Sequence, residues 1–506
     1  MRTLTKPSRA AFTPTQRRVL FALASVIGLR MLGLFLVLPV FTLYGLQFTH
    51  SRFLVGFAFG SYGLTMAILQ IPFGRLSDRI GRRKVLLLGM TLFSLGSFLC
   101  AVPHLFPHSL QIGALILGRL VQGGGAIISV AFATVADFIE PQRRSTAMAV
   151  LGIPIGVAFV IGIIGGPILA GILGTAFLFW LTGFLGLGTD LLLAKYLPDA
   201  PSSASAPAPM SQVLAGSPLR ALASSGFLMN FFMATFFFYF PLIVTGQHHV
   251  KMNHYYALLL PMMLISGFTM FGFSLGADHG WARPLAALAF FSFIPSSLLL
   301  FRPAAAGLDP GHLAGVIIAG TLFYIGFTGL EPILPSLVSK FAPESTYGTA
   351  LGMYNTAQFL GSFMGGAVAG ALSLYSANHM MTALMAASIL GILLMLAVRP
   401  AGRRARREPR RADPPILGAA ARPRGLGKSR GPQNRGSALP QKAGVWRLEQ
   451  ARCQLRPFHS HRKQKRLLCG SSELCIYCLP APLWLRARNP IPALRSRTQN
   501  LRTFVV

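Results

Sequence analysis

Gly74-Arg75-Leu76-Ser77-Asp78-Arg79-Ile80-Gly81-Arg82-Arg83-Lys84 separates two long apolar runs, Leu54 to Phe73 and Val85 to Val102. At a rise of about 1.5 Å per residue, each run is long enough to cross roughly 30 Å of hydrocarbon as a helix. The basic stretch between them is therefore a short loop held at one membrane face. Gly74 and Gly81 let the backbone turn where a side chain would collide. Asp78 stands among cations and can accept charge-assisted hydrogen bonds from them, while the rest of the cluster stays in water.

The composition extends this reading to most of the chain. Of 506 residues, 53% are hydrophobic and 12% charged, with 39 Phe. A soluble domain carries about 25% charged residues, so this is a membrane protein. The net charge of +33 is uneven: residues 1–398 hold 21 Lys/Arg against 9 Asp/Glu, and residues 399–506 hold 25 against 4. Of five cysteines only Cys100 precedes residue 399, so no disulfide framework holds the apolar part together. The first apolar run, near 19–46, is too long for the core of a signal peptide and reads as an uncleaved helix.

Further apolar spans fall near 54–73, 85–102, 110–136, 146–172 and 175–196, then near 220–246, 254–277, 283–301, 312–338, 346–374 and 378–398. This predicts an all-α membrane protein with twelve transmembrane helices in two pseudo-symmetric six-helix bundles. The expected organisation is an N-terminus over residues 1–18, a first bundle over 19–197, a Pro/Ser/Ala linker over 198–218, a second bundle over 219–398 and a basic, disordered tail over 399–506. Lys/Arg bias puts the N-terminus, the 74–84 loop, Arg143-Arg144, Lys195, Arg220, Arg283 and Lys340 on one side, which predicts both termini in the cytoplasm. Asp278 follows Asp78 by 200 residues and occupies the matching loop of the second half, within Gly272 to Gly280. Internal repetition of this kind is expected of transporters whose halves rock about a central site.

The 74–84 loop, with Leu29 to Gly33, Tyr62 to Gly74, Pro335-Ser336-Leu337 and Gln358 to Gly361, resembles the major facilitator superfamily of secondary transporters. Within it the chain is most similar to the proton-linked drug-efflux branch of bacterial YajR-type inner-membrane transporters. The resemblance covers about residues 15–398, and the small α/β domain that follows the last span in that branch has no counterpart in the tail. Gly74, Asp78, Arg79, Gly81 and Arg82 match the family's loop signature, motif A. The resemblance implies that Asp137 meets this loop, so that Asp78, Arg82 and Asp137 latch one conformation.

Gly118-Arg119-Leu120-Val121-Gln122-Gly123-Gly124-Gly125 resembles motif B. Arg119 lies about nine residues inside its span, where an unpaired cation is costly. It reads either as a cavity residue or as a clamp on neighbouring carbonyls. Arg30 sits near the middle of span one, and Glu331 lies inside span ten between Leu330 and Pro332, with Pro335 close by. Prolines free carbonyls to line a cavity. A carboxylate pulled one way by burial and the other by a cation can exchange a proton as its surroundings change. Glu331 is therefore the candidate proton site, with Arg30 as its possible partner; a static buried ion pair is the alternative. Asn230, Gln122 and Gln358 are polar residues within spans and candidates to line the cavity. Gly162, Gly166, Pro167 and Gly171 resemble motif C, which implies an antiporter; Ala170 and Ile153 depart from the pattern. Physically these residues make a kinked helix with a bare face. Asp190 reads as a surface pair with Lys195. The phenylalanines between Phe227 and Phe240 go right round their helix, which favours packing or lipid contact over an aromatic cavity wall.

In the tail, Gly425 to Ser429 lacks the first glycine of a phosphate loop, Arg422 standing there. Cys453, Cys469, Cys475 and Cys478 with His459 and His461 lack the spacing of a zinc site. No metal and no cofactor beyond a proton gradient is expected, and no enzyme. The expected partners are a small molecule, protons and anionic lipid headgroups, without nucleic acid, on a monomer in a bacterial inner membrane. The function expected is proton-coupled export of a small hydrophobic or cationic compound. The alternatives are a sugar or metabolite transporter of the same fold, and a membrane sensor acting through its basic tail.

Overall fold

The computed structural model describes residues 12–140, 143–199, 216–307, 309, 313–343 and 346–398. Most of the linker, and all of the tail with its cysteines and basic clusters, lie outside the described residues. The described residues are helical throughout, with no strand among them.

The first half comprises α1 (Pro14–Val37), α2 (Phe41–Gly45), α3 (Arg52–Ile80), α4 (Arg82–Ala101), α5 (His108–Gln122), α6 (Ile128–Phe138), α7 (Arg144–Leu173) and α8 (Thr175–Tyr196). The second comprises α9 (Ser217–Gly246), α10 (Tyr256–Gly276), α11 (Ala282–Phe301), α12 (Leu313–Phe341), α13 (Tyr347–Leu372) and α14 (Ala377–Ala397). Nine stretches among the described residues are long and apolar enough to cross a membrane. One of them, Tyr256–Phe301, runs 46 residues through α10 and α11 and is broken at Gly280 (φ 96°, ψ 2°). With α13, and with α5 and α6 end to end, the twelve expected spans are present.

Local chemistry sets the ends. Thr13 and Gln16 form a reciprocal cap at the start of α1, and Ser51 caps α3 through the Leu54 N–H. α3 passes into α4 through Gly81 alone, at φ 99° and ψ 146°, a conformation essentially restricted to glycine. Gly174 does the same between α7 and α8.

Three spans depart from expectation. The first begins at Pro14 rather than near residue 19, and breaks at Leu38–Val40 before α2. The second runs on to Ile80 instead of ending at Phe73, so residues 74–80 of the expected loop are helical, Gly74 lies inside α3, and Gly81 alone makes the turn. The fourth is interrupted between Gln122 and Ile128, where three successive glycines lie against the Tyr62 carbonyl, Leu92 and Phe93. Bare backbone lets these neighbours approach, and the helical ladder gives way there.

The packing repeats between halves. α1 packs on α7 and α8, as α9 does on α13 and α14; α4 packs on α5 and α8, as α11 does on α12 and α14. α3 meets α5 as α10 meets α12. Across the halves the partners are exchanged: α3 packs on α13, and α7 on α10. A repeated set of neighbours with swapped cross-contacts is two pseudo-symmetric six-helix bundles.

Glycines in the first half of α3, away from the 74–84 loop, bring the backbones of the two bundles together. A Cβ on Gly60 would stand 2.5 Å from the Phe363 carbonyl oxygen, and one on Gly63 2.6 Å from that of Phe359. Thr42 donates to the Phe237 carbonyl (3.5 Å), and the Phe159 ring meets Phe327 at 5.9 Å between centroids. Toward the loop face, Gly152 and Gly156 of α7 and Gly348 and Gly352 of α13 have nothing within 4 Å of where a Cβ would stand.

Candidate functional site

The loop face gathers its charges on Arg82, the first residue of α4. Its Nε donates to Asp137 Oδ2 at 2.9 Å, its guanidinium pairs with Asp78 one turn back, and another N–H donates to Ser77 Oγ at 2.6 Å. Ser77 Oγ in turn donates to the Gly74 carbonyl at 2.7 Å. Arg82 and Asp137 are buried, whereas the Asp78 side chain is 30% exposed and Arg79 points to solvent. The structure thus brings Asp78, Arg82 and Asp137 together and leaves Arg79 out. The neighbouring Arg83 reaches the Ala194 carbonyl at the end of α8, and Arg144 donates to the Ala136 and Ile139 carbonyls at the end of α6. Both complement the negative end of a helix.

A second cluster lies inside the first half. Arg119 donates to Gln122 Oε1 (2.6 Å) and to the Phe59 carbonyl (3.3 Å), and Gln122 Nε2 donates to Ser97 Oγ (2.8 Å). Of the two readings of Arg119, the clamp on neighbouring acceptors describes its contacts. Its guanidinium also lies over the rings of Phe41 (4.9 Å) and Tyr62 (4.8 Å). Arg30 donates to the Tyr62 hydroxyl at 2.6 Å and lies 3.2 Å from Met66 Sδ. Arg30 and Glu331 are not brought together: Arg30 is held within the first half by Tyr62 and Met66, so neither the partner nor the static-pair reading holds here.

Glu331 stands on α12 with Leu330, Ile333 and Leu334 fully buried around it, yet its own side chain is exposed and bonds to none of the described residues. Pro332 and Pro335 both lie within α12. On α13, the Tyr354 hydroxyl is buried without a partner among the described residues. Asn230 is spent on its own helix, donating to the Gly226 carbonyl at 3.3 Å, and Gln358 is half-buried.

Gly162 and Gly166 face the backbone of α1. A Cβ at Gly162 would meet Phe35 Cβ at 2.5 Å, and one at Gly166 would overlap the Leu36 carbonyl oxygen. Pro167 is buried beside them, and Gly171 is exposed. The pairing of Asp190 with Lys195 is replaced by another: Asp190 Oδ2 accepts from Thr91 Oγ1 at 3.1 Å, and Lys195 Nζ lies 5.2 Å from the Tyr196 ring. The α9 phenylalanines pack inward, Phe236 stacking on Phe323 at 3.8 Å and Phe232 on Phe293 at 4.3 Å. Among the described residues no group of His, Cys, Asp and Glu is placed to hold a metal ion.

Tyr62 escaped sequence reasoning, although among the described residues it touches both buried arginines. The signal was its place in an apolar span one turn from Met66 and from Phe59, where a phenol needs a partner.

Residues 23–366 match the Major Facilitator Superfamily. The inner membrane transport protein YajR of Escherichia coli is 33% identical over 368 residues, covering 71% of this chain and 78% of that protein. The multidrug resistance protein MdtL of Klebsiella pneumoniae subsp. pneumoniae is 26% identical over 378 residues, covering 68% and 86%. Among solved structures, a bacterial homologue of the human lysosomal transporter Spinster, inward-facing and occupied, superposes with a TM-score of 0.58 at 16% identity, over 77% of this chain and 95% of that one.

Proposed function

This chain belongs to the Major Facilitator Superfamily, a family of membrane carriers rather than enzymes, and from that premise we propose that it is a proton-coupled antiporter exporting small hydrophobic compounds by alternating access. The observation that carries the reading is Glu331: a carboxylate deep in α12, exposed among buried leucines and an isoleucine and bonded to none of the described residues. A carboxylate held by no fixed cation is free to take up and release a proton as the surrounding helices rearrange.

Three further features support it. Arg82 joins the 74–84 loop to Asp137 on α6, an ion pair that stabilises one arrangement of the helices at that face and releases another. The bare faces of α3, α7 and α13 let helices slide and pivot at close range. The Lys/Arg bias of the loops supports a cytoplasmic 74–84 face and cytoplasmic termini in an inner membrane. With the α9 phenylalanines committed to packing, the aromatic argument for a cationic compound falls away and the hydrophobic part remains.

The test is Glu331→Gln in proteoliposomes carrying an imposed pH gradient, read with hydrophobic fluorescent dyes of either charge. Gradient-driven dye movement is expected to disappear while thermal unfolding stays close to wild type. Full coupling in the variant overturns the proton assignment.

A further inference from the structure

Arg30 and Arg119 are 1% and 4% exposed, deep among α1, α3 and α5. The ion pairs among the described residues belong to Arg82 and Arg83, and none involves either of these buried arginines. A guanidinium removed from water ordinarily sits against an acid, because a lone charge in a low-dielectric interior is costly. Here the acid's place is taken by weak substitutes. Arg30 has the Tyr62 hydroxyl, the sulfurs of Met66 (3.2 Å) and Met31 (4.0 Å), and the Phe93 ring at 5.9 Å. Arg119 has an amide oxygen, one carbonyl and two ring faces. The thiol of Cys100 nearby is turned to the Leu115 carbonyl. The Nε–H of each arginine is buried and has no acceptor among the described residues.

These two orphan donors belong to one cluster. Tyr62 accepts from Arg30 through its hydroxyl and presents its ring to Arg119, so the two cations flank a single side chain. Gln122 and Ser97 extend the polar surface, and they too carry no charge. The cluster therefore has two positive charges, two unused donors and, among the described residues, no acid. Methionine thioethers cover Arg30, and their flexible, weakly held side chains can move aside for a better acceptor.

We propose that Arg30 and Arg119, joined through Tyr62, bind the acidic group of a small hydrophobic compound, a carboxylate, sulfonate or phosphate. The identification of that compound as the exported substrate rests on the transporter reading above; the binding site itself does not. An oxyanion fits the geometry of a guanidinium fork, and two guanidinium groups with free Nε–H donors discriminate strongly against a cation.

The experiment uses the full chain in nanodiscs and two water-soluble aromatic ions of similar size and opposite charge, p-toluenesulfonate and benzyltrimethylammonium, titrated calorimetrically. Saturable binding of the sulfonate and none of the ammonium is expected. Arg30→Gln and Arg119→Gln should each weaken sulfonate binding by about tenfold or more, and Arg30→Lys and Arg119→Lys, which keep the charge, by less. Thermal unfolding run in parallel shows which variants are folded. Should the Gln variants fail to fold, the charge preference of the wild-type protein and the Lys variants still decide the matter. The proposal is overturned if the ammonium binds as well as the sulfonate, if the sulfonate does not bind, or if the folded Gln variants bind it unchanged. Arg-dependent sulfonate binding in a protein that moves no compound under a pH gradient would uphold the site and reject the transporter reading.

Discussion

Gly56 of α3 and Gly370 of α13 cross so closely that a Cβ on Gly56 would stand 2.7 Å from the Gly370 Cα, and one on Gly370 3.0 Å from the Gly56 Cα. The two helices come from opposite bundles, and the contact lies at the face away from the 74–84 loop. A side chain here cannot be absorbed by a rotamer, because the obstacle is backbone. Gly370→Leu is expected to force the bundles apart at this face. Overpacking of this kind costs about 1–3 kcal/mol, enough to shift a two-state equilibrium by about fivefold or more. Thr42, which donates to the Phe237 carbonyl across the same interface, reports the change. A cysteine at position 42, in a background without other cysteines, should react faster with a membrane-impermeant maleimide once Gly370→Leu is added. Unchanged labelling would show that the crossing does not seal this face.

The loop-face cluster makes a ranking prediction. Asp137 is 8% exposed and Asp78 30%, and Arg82 serves both. Removing the guanidinium takes a cation from a buried carboxylate, so Arg82→Ala should lower stability by about 1.5–3 kcal/mol. Asp78→Asn disturbs a pair that water already screens and should cost about 1 kcal/mol or less. Asp137→Asn should fall between them. Thermal unfolding of the three variants in one detergent gives the order directly. If Asp78→Asn proved the most damaging, the exposed member would be the one holding the loop.

The contrast between these two interfaces shows what the sequence could express. Apolar runs of membrane-spanning length announce themselves, and a loop with Asp78 and Arg82 between two of them carries its charges in plain view. Gly56 and Gly370 carry no such mark. A glycine in a membrane helix states that a side chain is missing, but not which of eleven other spans approaches the gap, and that is decided by how the bundles meet. The same limit explains Arg30 and Glu331. Each stood out as a charge in an apolar span, but linear order gives no measure of the distance between spans one and ten, and the arginine turns to Tyr62 within its own bundle. The breaks at Leu38–Val40 and Gly123–Gly125 were illegible for a related reason. Hydropathy continues across both unchanged, while at Gly123–Gly125 the helix is lost where α3 and α4 press against bare backbone.

The glycines of α7 separate packing from mere composition. Gly162 and Gly166 lie on the backbone of α1 at Phe35 and Leu36, whereas Gly156, about two and three turns earlier on the same helix, has nothing within 4 Å of where its Cβ would stand. All three are glycines in an apolar span, so a rule based on residue type alone treats them alike. The contacts do not. Gly166→Val must displace α1 or bend α7, at a cost of about 1–3 kcal/mol. Gly156→Val enters open space and should stay within about 0.5 kcal/mol of wild type. Thermal unfolding of the two variants measures the difference. Dye flux under a pH gradient then tells whether the α1–α7 contact also serves the transport cycle: a Gly166→Val protein that remains folded but moves no dye would tie the contact to the rocking of the first bundle. Equal thermal stabilities would instead remove the α1 contact as the reason for glycine at position 166.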